Sequence, residues 1–541
     1  MYSLLANLKS KVLSNFKSGL TVSLVSIPMS VSLAVASGTN PVVGIITAVW
    51  AGLMASLFGG SNFNIVGPTG ALSGILATFA IINGPQNLPS LALISGLIIL
   101  VAYFLKLQKF LVFVPGSTIQ GFTLGVAFII ALNQLNYILG ITGLKVHEKF
   151  IENVFESFKN LNKISYTDLL IFITSFALLY FIPKINKKVP GAIILSPLGI
   201  LLGYLSANKI IGLNFVTLGD KFLDLSPALY IIPNFHFNSN IVIPAITVAL
   251  VAILETMISA KIADGMTKTK HNKQKEMLGL SIANIVSGIF GGIPATAALA
   301  RTSLNIKTGA TDKISATISS IFIIIISFFL LSYFKFIPMA VIGAILVNVA
   351  IKMIEVRHFK KMFIHDKTSF VLALIVAFIT IYEDPIIGII SGTAISLILF
   401  MEKLSRGQFD LFVNTKNSVN KISSDSFNEK EIENSHTLVY SIKGQLAYIN
   451  CQAHLSRFET KLNGHKNIIF RFREMYFLDI DGIDVLDEIC DFLHKNNRKI
   501  YFCGINPYIE KLFLESEWYH KLKAENKIFD KTADVLKTIG Q

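Results

Sequence analysis

The fold is decided by residues 251–311, which read VAILETMISAKIADGMTKTKHNKQKEMLGLSIANIVSGIFGGIPATAALARTSLNIKTGAT. An apolar helix carries one carboxylate in its middle, Glu255, and a short basic loop follows it. A second apolar stretch is interrupted at GGIP, after which a helix restarts and includes the cation Arg301. An acid, a break and a restarted helix within apolar sequence are typical of a binding site at membrane depth.

Each of these features has a physical reason in a bilayer. A carboxylate at that depth costs at least about 2.5–3.5 kcal/mol, so it normally faces a protein interior or a wet cavity. A helix that begins inside the bilayer leaves its first N–H groups unpaired, and these groups together with the helix dipole attract anions. A structural alternative stays open, in which Glu255 is only a partner for another helix and the Gly-Pro break only a kink.

The composition indicates a membrane protein with many spans and a soluble part. Of 541 residues, 52% are hydrophobic and only 15% are charged, with a mean hydropathy of +0.60, whereas a soluble protein carries about 25% charged residues. The net charge of +14 is concentrated in alternate loops, as expected for loops on the cytoplasmic side. No basic run is interleaved with aromatic residues, so no nucleic-acid partner is expected.

Roughly fourteen apolar segments lie between about residue 20 and residue 400, several of them shorter than the usual ~20 residues per span. The alternation of basic and less basic breaks predicts that both termini lie in the cytoplasm, below an inner or plasma membrane. Residues 1–17 form an amphipathic pattern that suits an interfacial segment leading into the first span.

The first half of the chain contains a counterpart of the opening stretch. Residues 63–80, FNIVGPTGALSGILATFA, also combine a Gly-Pro break with a short helix of small residues. Pro68 and Pro294 lie 226 positions apart, and the same offset relates Met29 to Glu255. Two broken helices in corresponding halves predict an inverted repeat, with two half-helices that point at each other.

The composition changes after Lys403. Residues 404–435 are polar and predict a linker with room for an edge strand. Residues 436–541 alternate between strand and amphipathic-helix patterns, which indicates a small α/β domain. The remaining range, 18–403, is the transmembrane domain. All three cysteines lie in the C-terminal domain without zinc-like spacing, so we expect reduced core residues and no metal site.

Four stretches resemble the SulP family of anion transporters, which carry a C-terminal STAS domain. These stretches are IPMSVSLAVASG, GGSNFNIVGPTGALSGIL, ILETMISAKIADGMTKTKH and NIVSGIFGGIPATAALARTSLNIKTGA. The resemblance extends over residues 10–540. It implies an α-helical fold of fourteen spans in two inverted repeats of seven, split into a core and a gate domain, and a cytoplasmic STAS domain. It also implies a homodimer and a small inorganic or organic anion as the substrate.

The same resemblance assigns site residues. Glu255 occupies the position that binds the coupling proton or sodium ion, and Ser259, one turn later, matches a hydroxyl that helps to hold sodium. Met29 stands where many members have Gln, so one polar substrate contact is absent. The remaining substrate-binding positions are Thr69, Gly70, Ala71, Thr296, Ala297, Ala298 and Arg301. Apart from the coupling H⁺ or Na⁺, no cofactor is expected.

Residues 477–486, FLDIDGIDVL, resemble the loop-to-helix signature of STAS domains. In anti-sigma-factor antagonists of that class, a phosphorylatable Ser follows an Asp at the helix start. Asp479 matches that Asp, and Asp481 lies near the Ser position, which makes serine phosphorylation here doubtful. Two interpretations stay open: a regulatory site for a cytoplasmic protein partner, or simple capping of the helix N-terminus.

Together with these patterns, the resemblance implies a secondary active transporter of a dicarboxylate, sulfate or bicarbonate, driven by proton symport through alternating access. Two alternatives are a sodium-coupled bicarbonate transporter and a membrane sensor that signals through the STAS domain. We do not expect an enzyme, because the sequence contains no nucleotide loop, metal cluster or nucleophile–base pair.

Overall fold

The computed structural model places most of the chain in two compact units, residues 1–394 and 395–541. It describes residues 2–540 apart from short gaps at 108, 110–113, 146, 148–149, 186–189, 223, 236–238, 384, 416–417, 423–435 and 463–464.

The first unit is helical. In its first half the helices are α1 Tyr2–Ala36, α2 Pro41–Phe58, α3 Gly70–Asn83, α4 Leu88–Phe104, α5 Gly116–Leu132, α6 Leu135–Leu139, α7 Phe150–Lys159, α8 Tyr166–Ile185, α9 Gly191–Ala207 and α10 Leu218–Lys221. In its second half they are α11 Val242–Thr267, α12 Lys273–Ile289, α13 Leu299–Lys307, α14 Ile314–Leu330, α15 Met339–Met353, α16 Val356–His365, α17 Lys367–Tyr382 and the beginning of α18 Pro385–Ser405, which continues past residue 394.

Within the described ranges, nine helical segments are long and apolar enough to cross a membrane, and three shorter apolar helices accompany them: α3, α9 and α17. Adding α12 and α13 would bring the set to the predicted fourteen. That count therefore stays a prediction, because these two helices are short or less apolar.

The helices of the first unit pack in two groups. One group contains α1–α4 together with α11–α14, and the other contains α5, α8, α9, α15 and α17. Small residues allow the closest helix contacts, as is usual in membranes. A Cβ atom at Gly96 of α4 would lie 2.7 Å from the Ile285 nitrogen of α12, and one at Gly288 of α12 would lie 2.7 Å from the Leu93 nitrogen.

Two very short strands lie at the centre of the first group. β1, Val66–Gly67, pairs antiparallel with β2, Thr296–Ala297. α3 begins three residues after β1 ends, and α13 begins two residues after β2 ends, so the two half-helices leave the pair in opposite directions. This arrangement confirms the predicted fold class, with a broken helix in each half.

The detailed alignment of the halves differs from the one predicted by the two prolines. The starts of α3 and α13 lie 229 positions apart, at Gly70 and Leu299. The turn that joins strand to helix is one residue longer after β1 than after β2. The offset in sequence between the two strands is therefore larger than the offset between the two helix starts. With the helix starts as reference, Thr69 corresponds to Ala298, and the counterpart of Glu255 is Ser26 rather than Met29.

Residues 2–17, predicted as a separate interfacial segment, are continuous with the first spanning helix, α1. No Gly or Pro interrupts the sequence there, so the helix has no reason to end. Asn15 is buried and accepts a hydrogen bond from the Thr311 nitrogen at 2.8 Å. Lys11 pairs with Asp312 at 2.9 Å.

The second unit is the predicted α/β domain. Its strands are β3 Gln408–Thr415, β4 Ser418–Ile422, β5 Thr437–Leu446, β6 Asn467–Leu478, β7 Lys499–Cys503 and β8 Ile528–Phe529, in the sheet order β4-β3-β5-β6-β7-β8. Its helices are α19 Cys451–Thr460, α20 Ile480–Lys495, α21 Pro507–Phe513, α22 Glu517–Ala524 and α23 Thr532–Thr538. Strands β5 to β8 are parallel.

The segment predicted as a linker, 404–435, contributes two strands to this sheet. β3 pairs antiparallel with β5 and β4, so β3 is an interior strand and β4 forms the edge. The last part of the predicted linker, 423–435, lies outside the described residues. The three cysteines are free and buried, as expected.

Candidate functional site

Helix α11 contacts β2, the second strand of the central pair, and holds it by hydrogen bonds. The Thr256 hydroxyl accepts a hydrogen bond from the Ala297 nitrogen at 3.1 Å and lies 2.9 Å from the Thr296 hydroxyl. The Thr296 hydroxyl in turn donates to the Ala252 carbonyl at 3.1 Å. These bonds satisfy polar groups of a strand that has only one neighbouring strand, at a depth where water is scarce.

Glu255, the residue before Thr256, lies at the start of the other half-helix. Its half-buried side chain adjoins the side chain of Thr69, the residue that precedes α3. Thr69 lies within reach of this carboxyl for a hydrogen bond. Among the described residues Glu255 forms no ion pair, so no positive side chain competes with a bound ion for the carboxyl.

Ser259, one turn further along α11, forms hydrogen bonds both to the segment that precedes β1 and to α13. Its hydroxyl lies 3.0 Å from Asn64 Oδ1 and 3.1 Å from the Thr302 hydroxyl. Thr302 also accepts a hydrogen bond from the Ile65 nitrogen at 3.1 Å. Ser259 therefore has a positioning role in the fold, and its role as a ligand of the coupling ion stays a prediction.

The starts of the two half-helices offer unpaired backbone donors. Neither α3 nor α13 has a side-chain cap, and the first bond within α13 is donated by the Thr302 nitrogen to the Ala298 carbonyl at 2.9 Å. The preceding N–H groups of this turn have no acceptor within the helix, and the same holds for the first turn of α3. Both ends carry the partial positive charge of a helix dipole.

The predicted substrate positions divide into two sets. Thr69 and Ala298 occupy the cap positions of α3 and α13, and Gly70 and Ala71 form the first turn of α3. A Cβ atom at Gly70 would lie 2.8 Å from Met353 Sδ on α15, so α3 begins directly against the second helix group. This set is placed where an anion could meet both helix groups.

Thr296 and Ala297 are placed differently. Both are buried, and Ala297 packs in an apolar cluster with Val66, Ala252 and Leu280. The Thr296 hydroxyl is occupied by α11, as described above. Both side chains thus serve the fold, and their role as substrate contacts stays a prediction, as does that of Met29, which is half-buried on α1.

The side chain of Arg301 extends from α13 to the end of β1. Its Nη2 donates a hydrogen bond to the Pro68 carbonyl, and its side chain is only 1% exposed. Gly67 allows this approach, because a Cβ atom there would lie 3.0 Å from Nη1. Arg301 has no ion pair in the described part of the chain, so its positive charge remains uncompensated beside the two strands.

Several residues that hold the broken backbone were missed from the sequence. Asn284 of α12 accepts from the Ala295 nitrogen at 2.8 Å and donates to the Ala295 carbonyl at 3.0 Å. Ser287 donates to the Ile293 carbonyl, and Thr47 of α2 accepts from the Ile293 nitrogen, both at 2.8 Å. A usable signal was Asn284 and Ser287, three residues apart on one face of an apolar helix.

Glu276 likewise accepts hydrogen bonds from the segment that precedes β1. Its Oε2 accepts from the Gly60 and Ser61 nitrogens at 2.7 Å each, and its Oε1 accepts from Asn64 Nδ2 at 2.6 Å. The side chain is buried, with 3% exposure. In the sequence it follows a run of lysines, where an acid is expected to be solvated, so its structural role was not visible.

In the second unit, Asp479 caps α20. Its Oδ1 accepts from the Gly482 nitrogen and its Oδ2 from the Tyr448 nitrogen, both at 2.9 Å. Asp481 is exposed in the first turn of the same helix. Capping thus accounts for Asp479, while a regulatory partner at Asp481 stays a prediction.

Comparison with known proteins matches this geometry to a family. The sequence matches the sulfate permease family over residues 12–376 and a STAS domain over residues 429–535. It is 30% identical to the Bacillus subtilis protein YvdB, whose name as a sulfate transporter is itself provisional, and the alignment covers 93% of each chain. It is 23% identical to the bicarbonate transporter BicA of Synechocystis, over 96% of this chain and 93% of BicA.

Solved structures show the same fold. The murine Slc26a9 anion transporter in its inward-facing state aligns with a TM-score of 0.82 at 15% identity, covering 98% of this chain and 92% of that chain. The transmembrane domain of a cyanobacterial BicA aligns with a TM-score of 0.63 at 22% identity, covering 70% of this chain and 97% of that domain.

The chain belongs to the sulfate permease family and ends in a STAS domain. It is a multi-pass membrane protein of a family of anion transporters, and this family consists of transporters rather than enzymes.

Proposed function

We propose that this protein is a secondary active transporter that moves a small anion, sulfate, bicarbonate or a dicarboxylate, by proton symport. The observation that carries the proposal is the pair of uncapped helix starts at Thr69 and Ala298, which flank β1 and β2. Unpaired N–H groups and two converging positive dipole ends favour a negative charge there. The names of its relatives as sulfate and bicarbonate transporters support this substrate class.

The coupling ion is proposed to bind at Glu255. Its carboxyl adjoins Thr69 at the start of α3 and has no ion pair among the described residues. A carboxyl in such a place can exchange a proton, which changes the local charge at the anion site. Binding of the anion and of the proton would then favour each other, because each reduces the charge that the other must meet.

The two helix groups provide the moving parts. The group with α1–α4 and α11–α14 holds the site, and α5 and α15 of the other group meet the start of α3. Movement of one group against the other would open the site to alternate sides of the membrane, as in other transporters with inverted repeats. We place both termini in the cytoplasm, below the plasma membrane, and propose a homodimer with the STAS domain as a regulatory element.

Uptake by the full-length protein in proteoliposomes tests this proposal. Labelled sulfate, bicarbonate, succinate and fumarate are offered with an inward proton gradient, with a sodium gradient and with neither. We expect one of these anions to accumulate against its gradient when the outside is acidic. Accumulation driven only by sodium would favour the sodium-coupled bicarbonate alternative. Binding of an anion without any accumulation or exchange would favour a sensor and contradict transport.

A further inference from the structure

Helix α16 lies between α15 and α17 of the second helix group and is tied closely to both. Two non-helical residues separate it from α15, which ends at Met353, and one residue separates it from α17, which begins at Lys367. The ring of Phe363 packs edge-on against that of Phe370 on α17, with 5.2 Å between their centres. α16 is therefore held at the ends of two helices of the membrane-spanning unit and cannot move away to a distant partner.

The sequence of α16, VRHFKKMFIH, gives this helix two unlike sides. Residues three or four positions apart lie on the same side of a helix. One side is apolar and carries Val356, Phe359 and Phe363. The adjoining side carries the Arg and Lys residues of the helix: Arg357, Lys360 and Lys361. Because α16 contains no acidic residue, its charged side is purely positive.

Both sides of α16 reach the surface of the unit. Val356 and Phe363 are 70% and 57% exposed, although both are large and apolar. The three cations are exposed as well, and none of them forms an ion pair with another described residue. An exposed apolar edge beside such cations is the arrangement of a helix that lies in the surface of a bilayer, with its apolar residues among the acyl chains and its cations at the headgroups.

The first half of the chain has a helix of similar shape and opposite charge in the corresponding place. α7 lies between α5 and α8, and its Phe155 is 61% exposed. α7 contains Glu152, Glu156 and a single cation, Lys159. Corresponding helices of an inverted repeat lie at opposite surfaces of the membrane. An exposed apolar edge is thus common to both halves, whereas of these two helices only α16 is positively charged.

We propose that α16 lies in the membrane surface and binds the headgroups of anionic phospholipids, such as phosphatidylglycerol, through Arg357, Lys360 and Lys361. The positive charge selects an anionic lipid over a zwitterionic one, because cations near a membrane surface attract anionic headgroups. The contact fixes the end of α15, where Met353 meets the start of α3, since a Cβ atom at Gly70 would lie 2.8 Å from Met353 Sδ. Anionic lipid thereby anchors the second helix group while the first group moves, an effect on rate that rests on the proposed transport function.

Quenching of tryptophan fluorescence by brominated lipid tests the proposal in full-length protein in vesicles. Phe363→Trp places the reporter on α16 in a Trp50→Phe background. Trp518 remains, since it is buried in the core of the second unit and gives a constant background. All vesicles contain the same mixture of phosphatidylglycerol, as the minor component, and phosphatidylcholine. In one preparation the phosphatidylglycerol carries bromine on its acyl chains, and in the other an equal amount of the phosphatidylcholine carries it.

We expect brominated phosphatidylglycerol to quench Phe363→Trp at least about twofold more strongly than brominated phosphatidylcholine, because each cation near the surface favours an anionic lipid by up to about fivefold. Phe155→Trp on α7 is the matched control and should show no preference for phosphatidylglycerol. Replacing Arg357, Lys360 and Lys361 together by Gln should remove the preference at position 363. Equal quenching by the two lipids with these cations intact would overturn the inference. Quenching by neither lipid would also overturn it, because a protein surface would then cover α16.

Uptake measurements separate this inference from the proposed function. The rate of anion uptake should rise with the phosphatidylglycerol content of the vesicles, and the variant with three Gln residues should lose this dependence. Uptake that rises equally in both proteins would show that the lipid acts elsewhere and would contradict the anchoring role of α16. Absence of uptake in every lipid mixture, with the quenching preference intact, would contradict the proposed transport and leave the lipid site supported.

Discussion

Arg301 on α13 donates a hydrogen bond to the carbonyl oxygen of Pro68, the residue that follows β1. One buried side chain therefore connects the second half-helix to the turn that leads into the first. The bond lies beside the two-stranded sheet in which Val66 pairs with Ala297 and Gly67 with Thr296. The positions of the two helix starts are consequently coupled, and a change that moves one start is transmitted to the other.

Glu255→Gln should separate coupling from transport. The amide resembles the protonated carboxyl in shape and charge, but it cannot release a proton. We expect uphill uptake driven by an acidic outside to be lost, while exchange of internal for external anion continues. Both are measured in the same liposomes, as concentrative uptake with a pH gradient and as counterflow without one. If Glu255→Gln still concentrates the anion in response to the gradient, Glu255 is not the coupling group.

Glu276→Ala should destabilise the first unit strongly. The substitution leaves the Gly60 and Ser61 nitrogens without their acceptor, and hydrogen bonds to a charged group contribute about 1.5–3 kcal/mol each. We expect a loss of about 3 kcal/mol or more, seen as a lower unfolding temperature. Glu402→Ala is a matched control, because Glu402 is half exposed and Arg406 is its one ion-pair partner among the described residues. A surface pair of this kind contributes about 0–1 kcal/mol, so equal effects would contradict the role of Glu276.

Cysteine labelling tests the proposed orientation of the protein in the membrane. Lys270 is exposed in the basic loop between α11 and α12, and a cysteine there should resist an impermeant thiol reagent in intact cells. Asn214→Cys lies in a less basic, exposed segment after α9 and serves as the external control. The native cysteines are all buried in the second unit. Labelling at position 270 as fast as at position 214 would reject the proposed orientation.

The second unit should lose stability in weak acid because of His454. Burial and the nearby charge of Arg457 lower the pKa of His454 from 6.5 to about 3. Between these values the unfolded chain binds a proton and the folded chain does not, so stability falls as the pH falls below about 6.5. The loss is about 1.4 kcal/mol per pH unit, or about 2 kcal/mol at pH 5.

Fluorescence of Trp518, which is buried in the core of this unit, reports the unfolding in a full-length Trp50→Phe background. His454→Gln is the control, since the amide can still bond to the Tyr440 hydroxyl, which lies 2.6 Å from His454 Nδ1. Glutamine does not titrate, so the pH dependence of this variant should be shallower. Identical curves for the two proteins would remove His454 as the cause.

The class of fold could be predicted from the sequence because each signal was local. A Gly-Pro break inside apolar sequence predicts a broken helix, and both breaks adjoin the central strands. The second break was placed within the membrane because it follows α11, an apolar helix that the sequence marks by its single acid, Glu255. These features are visible without knowledge of the packing.

The side chains that form hydrogen bonds to the backbone at the two helix breaks could not be predicted in the same way. Asn284 and Glu276 act on residues 11 and 212–216 positions away, and such pairings depend on which helices become neighbours. The same limit applies to the surroundings of Ala297. This residue pairs with Val66 and packs in an apolar cluster, which the sequence did not indicate, and its role at the anion site stays a prediction.

Anion binding between the two half-helices is tested most directly at Ala298, the cap of α13. Ala298→Asp places a carboxylate at the positive end of the helix dipole, where aspartate is a favourable cap and the helix should remain folded. Ala298→Asn has nearly the same shape and caps equally well, but it carries no charge. The measurement is uptake of the best transported anion by both variants, at equal insertion in proteoliposomes. We predict that Ala298→Asp abolishes uptake and that Ala298→Asn retains a substantial part of it. Equal uptake by the two variants, at the level of the unsubstituted protein, would show that the anion binds elsewhere.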